Sequence, residues 1–273
     1  MTRAELALRL QPPARRDAVT WELFHDNSKA GRYDSYPPPE AITQRMEHML
    51  QSLAFDQYPA VTLPSSPEPM RMGFAEAVAA RASARGLAPA RLSLGQLATL
   101  LHHAYGITRD NAGTIYPRPF RAVPSGGALY PLELYLHTTH VSELEPGLYH
   151  FDPLRHELRF LRYGDESRRI SEALVQRHLA VDASVLVFMT AVFERSIFKY
   201  GDRGYRFALI EAGHVGQNLA LTAAAMGLAC LTVGGYSDRQ VDDLLGLDGL
   251  THSTIYLAAI GEPAEDAAAG PEH

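Results

Sequence analysis

The sequence predicts an α+β fold in which a sheet packs between helices. Three observations point to it. Apolar runs of strand composition recur at residues 132–141, 183–193, 230–236 and 253–261. Helix-periodic segments are scattered among them without a regular strand–helix alternation. The chain has 273 residues, 46% of them apolar, which suffices for one substantial core, and no internal repeat or second compositional domain divides it.

Residues 1–72 hold much of the proline and read as an N-terminal arm. DSYPPPEAI and YPAVTLPSSPEPM are extended connectors, because proline restricts both itself and its predecessor. Between them residues 40–55 have helical spacing, with Ile42, Met46, Met49 and Leu53 on one face. Residues 73–264 form the main domain. It opens with GFAEAVAARASARG (73–86), an alanine-rich helix. Ser93 caps the helix LGQLATLLHHAYG, with Gln96 placed to complete a capping box. GTIYPRPFRAVPSGGALYP is a loop, followed by the strand LELYLHTTHV. PGLYHFDP and HELRFLRYG form a strand pair around a turn. SRRISEALVQRH is a helix and ASVLVFMTAVF a buried strand. The longest helix runs from Tyr205 to Gly227; CLTVGGY is a strand, SDRQVDDLLGL a helix and STIYLAAIG a last strand. Residues 265–273 form a polar, frayed tail.

Ala212, Gly216, Ala220 and Ala224 make a row of small residues along the longest helix. Such a row permits a close approach. Tight packing inside one subunit and a helix crossing its mate in a dimer both satisfy it.

Composition excludes several classes. The net charge is −6 and no basic run exceeds a pair of arginines, so there is no electrostatic footprint for nucleic acid. No stretch of 18 apolar residues exists to cross a membrane, and the N-terminus lacks the apolar core of a secretory signal. Cys230 is the single cysteine; its apolar neighbours predict a buried, inert thiol, and the chain fits a reducing cytoplasm. Scattered histidines give no metal pattern. No serine sits in a nucleophile elbow.

Three segments can hold a ligand. RASAR places Arg81 and Arg85 four residues apart, on one face if helical, with Ser83 between; a phosphate or plain solvent would satisfy the pair. FKYGDRGYR crowds Lys199, Tyr200, Arg203, Tyr205 and Arg206 around two glycines. Desolvation of Lys199 would bring it toward a range where it can take a proton. VGGYSD ends a strand with Gly234 and Gly235, whose backbone a flat ligand can approach; a plain strand-to-helix turn has the same look. The turn PSGGALYP, with Pro124, Ser125, Gly126 and Gly127, has the same permissive character.

In order, RASAR, LSLGQLATLLHHAYGIT, PSGGALYPLELYL, KYGDRGYRFALIEAGHVGQNLALTAAAMGLA and VGGYSD resemble the nitroreductase-like flavoproteins, above all their SagB-type dehydrogenase and azoline oxidase branch. The resemblance runs from about Arg81 to Pro263, and FHDNSK (24–29) looks like that branch's N-terminal arm. It implies a mostly antiparallel central sheet flanked by helices, and an intertwined homodimer with FMN at the interface. Arg81, Ser83 and Arg85 match the signature that contacts the phosphate, ribityl chain and pyrimidine side of FMN. Pro124, Ser125, Gly126 and Gly127 match a turn lent by the partner subunit. Gly234 and Gly235 match the segment facing flavin N5 and O4. Lys199 and Tyr200 match the pair implicated in azoline oxidation. Ala128 stands where many nitroreductases carry asparagine, and no Lys or Arg follows Arg239, so Arg121, Arg203 or Arg206 would have to grip the phosphate.

The implied reaction is oxidation of a peptide thiazoline or oxazoline to an azole, with hydride transfer to flavin N5 and Lys199 or Tyr200 as base. A cyclodehydratase complex would deliver the peptide. NAD(P)H-dependent reduction of nitro compounds or quinones is the alternative. A flavin-binding accessory subunit of a peptide-modifying complex, without its own turnover, is the third reading.

Overall fold

A computed structural model describes residues 19–29, 31, 36–111, 113 and 118–264. The expected frayed tail and the first 18 residues lie outside them. The elements run α1 (Val19–Asn27), α2 (Pro39–His48), β1 (Ala60–Thr62), α3 (Phe74–Ala80), β2 (Leu87–Ala88), α4 (Leu94–Tyr105), β3 (Ile107–Arg109) and β4 (Phe120–Arg121). Then come β5 (Leu132–Thr138), β6 (Gly147–Asp152), β7 (Glu157–Tyr163), α5 (Ser167–Ala173), α6 (Leu179–Asp182), β8 (Val185–Val192) and α7 (Glu194–Tyr200). The chain closes with α8 (Arg203–Ala225), β9 (Ala229–Val233), α9 (Asp238–Leu245) and β10 (His252–Pro263).

The α+β expectation holds. One sheet has the order β1-β7-β6-β5-β8-β10-β2, with β9 also on β10, and every pairing within it is antiparallel. Strands β5, β6 and β8 are buried on both faces, so they read as continuous apolar runs. Their alternation sorts side chains between two cores. Leu134, Leu136, Val187 and Met189 join Leu97, Leu101, Val215 and Leu219 of α4 and α8 on one face. Tyr135, Leu186 and Phe188 join Ile170, Val241 and Leu244 of α5 and α9 on the other.

The capping box at α4 forms as read: the Ser93 hydroxyl accepts from Gln96 N and Gln96 Oε1 accepts from Ser93 N, both at 2.9 Å. Three predicted helices are too long. The helix over 40–55 ends at His48, with Met49 extended, and of the four residues assigned to one face Met46 alone is buried. The helix over 73–86 ends at Ala80. SRRISEALVQRH stops at Ala173 because Leu174 bridges to Tyr236 instead. In the small-residue row, Ala212 is buried in the core, and a Cβ on Gly216 would lie 3.0 Å from the Tyr256 ring. That half of the row therefore serves packing within the chain.

Candidate active site

RASAR is extended, not helical, which corrects the shared-helix-face reading of Arg81 and Arg85. Arg81 caps α3, and the chain then runs alongside β9: Ser83 bridges in parallel to Cys230, and Ala84 N donates to the Cys230 carbonyl at 3.0 Å. An extended segment still sets residues 81, 83 and 85 on one side, through a period of two. Ser83 and Arg85 are exposed and Arg81 is half-buried. Ser83 and Arg85 line a cleft of about 370 Å³ with Ala220, Ala224, Gly227 and Cys230. Cys230 is buried as read from sequence, and burial pushes its thiol up to about 12. Gly234 and Gly235 follow β9 and are exposed. Gly234 lies four residue steps beyond Cys230, about 13 Å along extended chain. A Cβ on Gly234 would meet nothing within 4 Å, whereas Gly235 backs onto Val175.

The PSGG turn belongs to a different cleft, of about 810 Å³, lined by Arg109, Arg121, Val123, Ser125, Tyr130 and Lys199 among others. Residues 126–128 make a single tight turn in which Gly127 has φ 67° and Ala128 φ 53°. The Ser125 hydroxyl accepts from Tyr130 N at 2.9 Å and holds the turn closed. Lys199 and Tyr200 end α7 directly opposite. A Cβ on Gly127 would lie 2.5 Å from Tyr200 Oη and 2.9 Å from Lys199 Nζ, so glycine there lets the pair approach the backbone. A Cβ on Gly126 would lie 2.9 Å from the Phe207 ring. The Lys199 ammonium also sits 5.2 Å from the Tyr200 ring centroid.

Beneath this turn lies a polar cluster absent from the sequence reading. Glu211, 2% exposed, accepts from Tyr105 Oη at 2.6 Å, while its second oxygen has no aligned partner among the described residues. Burial pushes its carboxyl up to about 7, against the pull of the Ser125 and Tyr105 hydroxyls and the Arg121 guanidinium. Arg121 lies 4.3 Å from the Tyr105 ring centroid and 4.8 Å from that of Tyr130, and donates to the Gln51 carbonyl at 2.6 Å. The signal was legible in principle. Glu211 shares its helix face with Ala208, Val215 and Leu219, where an acid is out of place.

Glu133 on β5 is also buried. It accepts from Arg195 Nη2 at 2.6 Å, His150 Nε2 lies 2.7 Å away, and Leu53 N donates at 3.0 Å. Burial alone would raise its carboxyl, but Arg195 and His150 hold it at about 2. No group of ligating side chains suited to a metal occurs among the described residues.

The sequence profile of the nitroreductase family matches residues 78–262. The chain belongs to the nitroreductase family. This nitroreductase-family chain is 33% identical over 165 residues to MJ1384 of Methanocaldococcus jannaschii, named as a nitroreductase, a match covering 60% of the chain and 80% of that protein. It is 33% identical over 187 residues to the microcin B17-processing protein McbC of Escherichia coli, covering 64% of each. The match thus spans less than two thirds of McbC. The solved E. coli microcin synthetase McbBCD complex, with truncated pro-MccB17 bound, aligns over 97% of the chain and 98% of the matched chain. Its TM-score is 0.58 at 22% identity, which speaks for the fold alone.

Proposed function

We propose that the chain is an FMN-dependent oxidoreductase of the SagB type that oxidises thiazoline or oxazoline rings of a peptide to azoles. The observation carrying this reading is the Lys199–Tyr200 pair, packed against the glycine turn at the cleft. Similarity to McbC supports a peptide substrate.

The residues present fit FMN. Ser83 and Arg85 line one cleft with Arg81 beside them, and the open side of Gly234 leaves room for a flat ring farther along β9. FMN, when bound, supplies the acceptor for the hydride leaving the ring. Lys199 or Tyr200 takes the remaining proton, so the ring loses two electrons and two protons in all. In this reading the backbone amides at Gly234 and Gly235 would meet developing negative charge. Arg121 and Arg206 are not free to grip the phosphate, since both are engaged by the arm.

Within one chain the matched residues fall into two groups, one along β9 and one around the PSGG turn. A second copy of the chain would close this gap. Phe74, Val78, Leu209 and Ile210 leave apolar surface exposed on α3 and α8 for such a contact.

Lys199→Ala is expected to lower azole formation at least ~100-fold while the protein retains its flavin absorbance. Wild-type turnover in this variant would remove Lys199 from the base's role. Similarity to MJ1384 favours a second reading, reduction of small acceptors by NAD(P)H. Rapid bleaching of the flavin band by NAD(P)H, with none by an azoline peptide, would select it.

A further inference from the structure

Two side chains one turn apart on α8 meet the PSGG turn. Phe207 packs under Gly126 and meets the Tyr200 ring edge-on at 4.9 Å. Glu211 has its carboxyl against the Ser125 hydroxyl. Ser125 is half-buried and lines the same cleft as Lys199. It therefore links a buried acid, which the proposed reaction does not use, to the cleft in which that reaction would run.

The neighbours of Glu211 differ in what they can exchange with it. The Tyr105 hydroxyl on α4 accepts from Leu132 N at 3.3 Å and donates to Glu211 at 2.6 Å. Burial and the Glu211 charge hold that phenol well above its usual range, so it keeps its hydrogen. Arg121 on β4 and Arg195 on α7 act on the carboxyl as fixed positive charges and can only donate. Tyr130 feels Glu211 through charge, while its hydroxyl accepts from Arg121 N at 2.9 Å. Of the two hydroxyls bonded to Glu211, Ser125 is the one that can reverse, because its hydrogen has no other fixed use. Its oxygen accepts from Tyr130 N at 2.9 Å. When Glu211 is ionised, the Ser125 hydrogen is drawn to the carboxylate. When Glu211 is protonated, the acid hydrogen goes to the Ser125 oxygen and the Ser125 hydrogen is released.

We propose that Glu211 is a positioning residue of this site: its proton decides whether Ser125 turns its hydrogen inward or offers it to an acceptor atom in the PSGG cleft. The acceptor is a carbonyl oxygen or ring nitrogen, of the flavin or of the substrate ring. Its naming rests on the FMN and azoline readings; the reversal at Ser125 does not. Binding of such a ligand then carries a proton onto Glu211.

The test has two arms. FMN is titrated into the flavin-free full chain and followed by flavin fluorescence. A labelled thiazoline heptapeptide is titrated into the FMN-loaded chain and followed by anisotropy. Both arms run across about pH 6 to 8, because Glu211 sits at about 7. Wild-type affinity is expected to fall about fivefold with rising pH in the arm whose ligand takes the hydrogen, the worth of one hydrogen bond. Glu211→Gln donates to Ser125 at every pH, so it is expected to hold the low-pH affinity throughout. Ser125→Ala is expected to be about fivefold weaker at low pH and to lack the fall. The ratio of variant to wild-type affinity removes titration of the ligands themselves. A pH-linked ratio in the first arm supports the assignment with flavin as acceptor, and in the second with the substrate ring. If FMN binding is linked in this way but the peptide never bleaches the flavin, the azoline reading fails and the assignment stands. Equal pH dependence in wild type and Glu211→Gln in both arms overturns it, as does a wild type that binds neither ligand.

Discussion

Glu211 is the residue whose chemistry depends most on its surroundings. Its carboxyl sits at about 7 in the folded chain, against about 4.5 when exposed. The folded state therefore binds a proton that the unfolded state releases, and stability declines as pH rises from 4.5 through 7. The decline attributable to Glu211 is about 3 kcal/mol. Glu211→Gln keeps the neutral shape without the titration. Its stability advantage over wild type, from urea denaturation, is expected to grow between pH 4.5 and 7 and then level off. A constant difference across that range would show that Glu211 does not titrate there. Single residues were legible where their partners are local. Ser93 and Gln96 are three positions apart, and their capping box could be read directly. Arg81 and Arg85 were misread because pairing with β9, far along the chain, overrides the helical preference of an alanine-rich stretch. The Glu133 cluster was not legible at all, since Arg195 lies 62 positions away and an acid inside an apolar strand has no sequence signature of its partner.

At the scale of elements, Glu133 ties four pieces together: β5, which carries it, β6 through His150, α7 through Arg195, and the arm through Ser52 and Leu53. Arg118 and Arg121 clamp the same stretch of arm by donating to the carbonyls of Met46, Met49 and Gln51. Removing one partner of a buried ion pair leaves the other uncompensated, a loss of about 3–5 kcal/mol. Glu133→Ala is expected to lower stability by that amount in chemical denaturation, and to expose residues 49–58 to protease before the sheet opens. A loss under about 1 kcal/mol would mean that the cluster is better solvated than its burial implies. The strands were read well, because continuous apolar runs bounded by turn residues predict buried sheet. The ends of α2, α3 and α5 were read too late, because the chain leaves each helix to make tertiary contacts that periodicity does not encode.

For the whole molecule, the sequence carried the order of motifs and hence the family, but could not place the motifs relative to one another. In one chain, Ser83 and Arg85 of RASAR and the PSGG turn line different clefts. Sedimentation of the FMN-loaded protein is expected to give the mass of two chains, and Ile210→Glu on the exposed face of α8 to lower both that mass and flavin content. A monomer that retains FMN would refute the two-chain site. Cys230, the chain's single thiol, forms part of the lining of the RASAR cleft. If FMN fills that cleft as proposed, it covers the thiol further, so alkylation of Cys230, already slow for a buried thiol held protonated, is expected to slow again on loading.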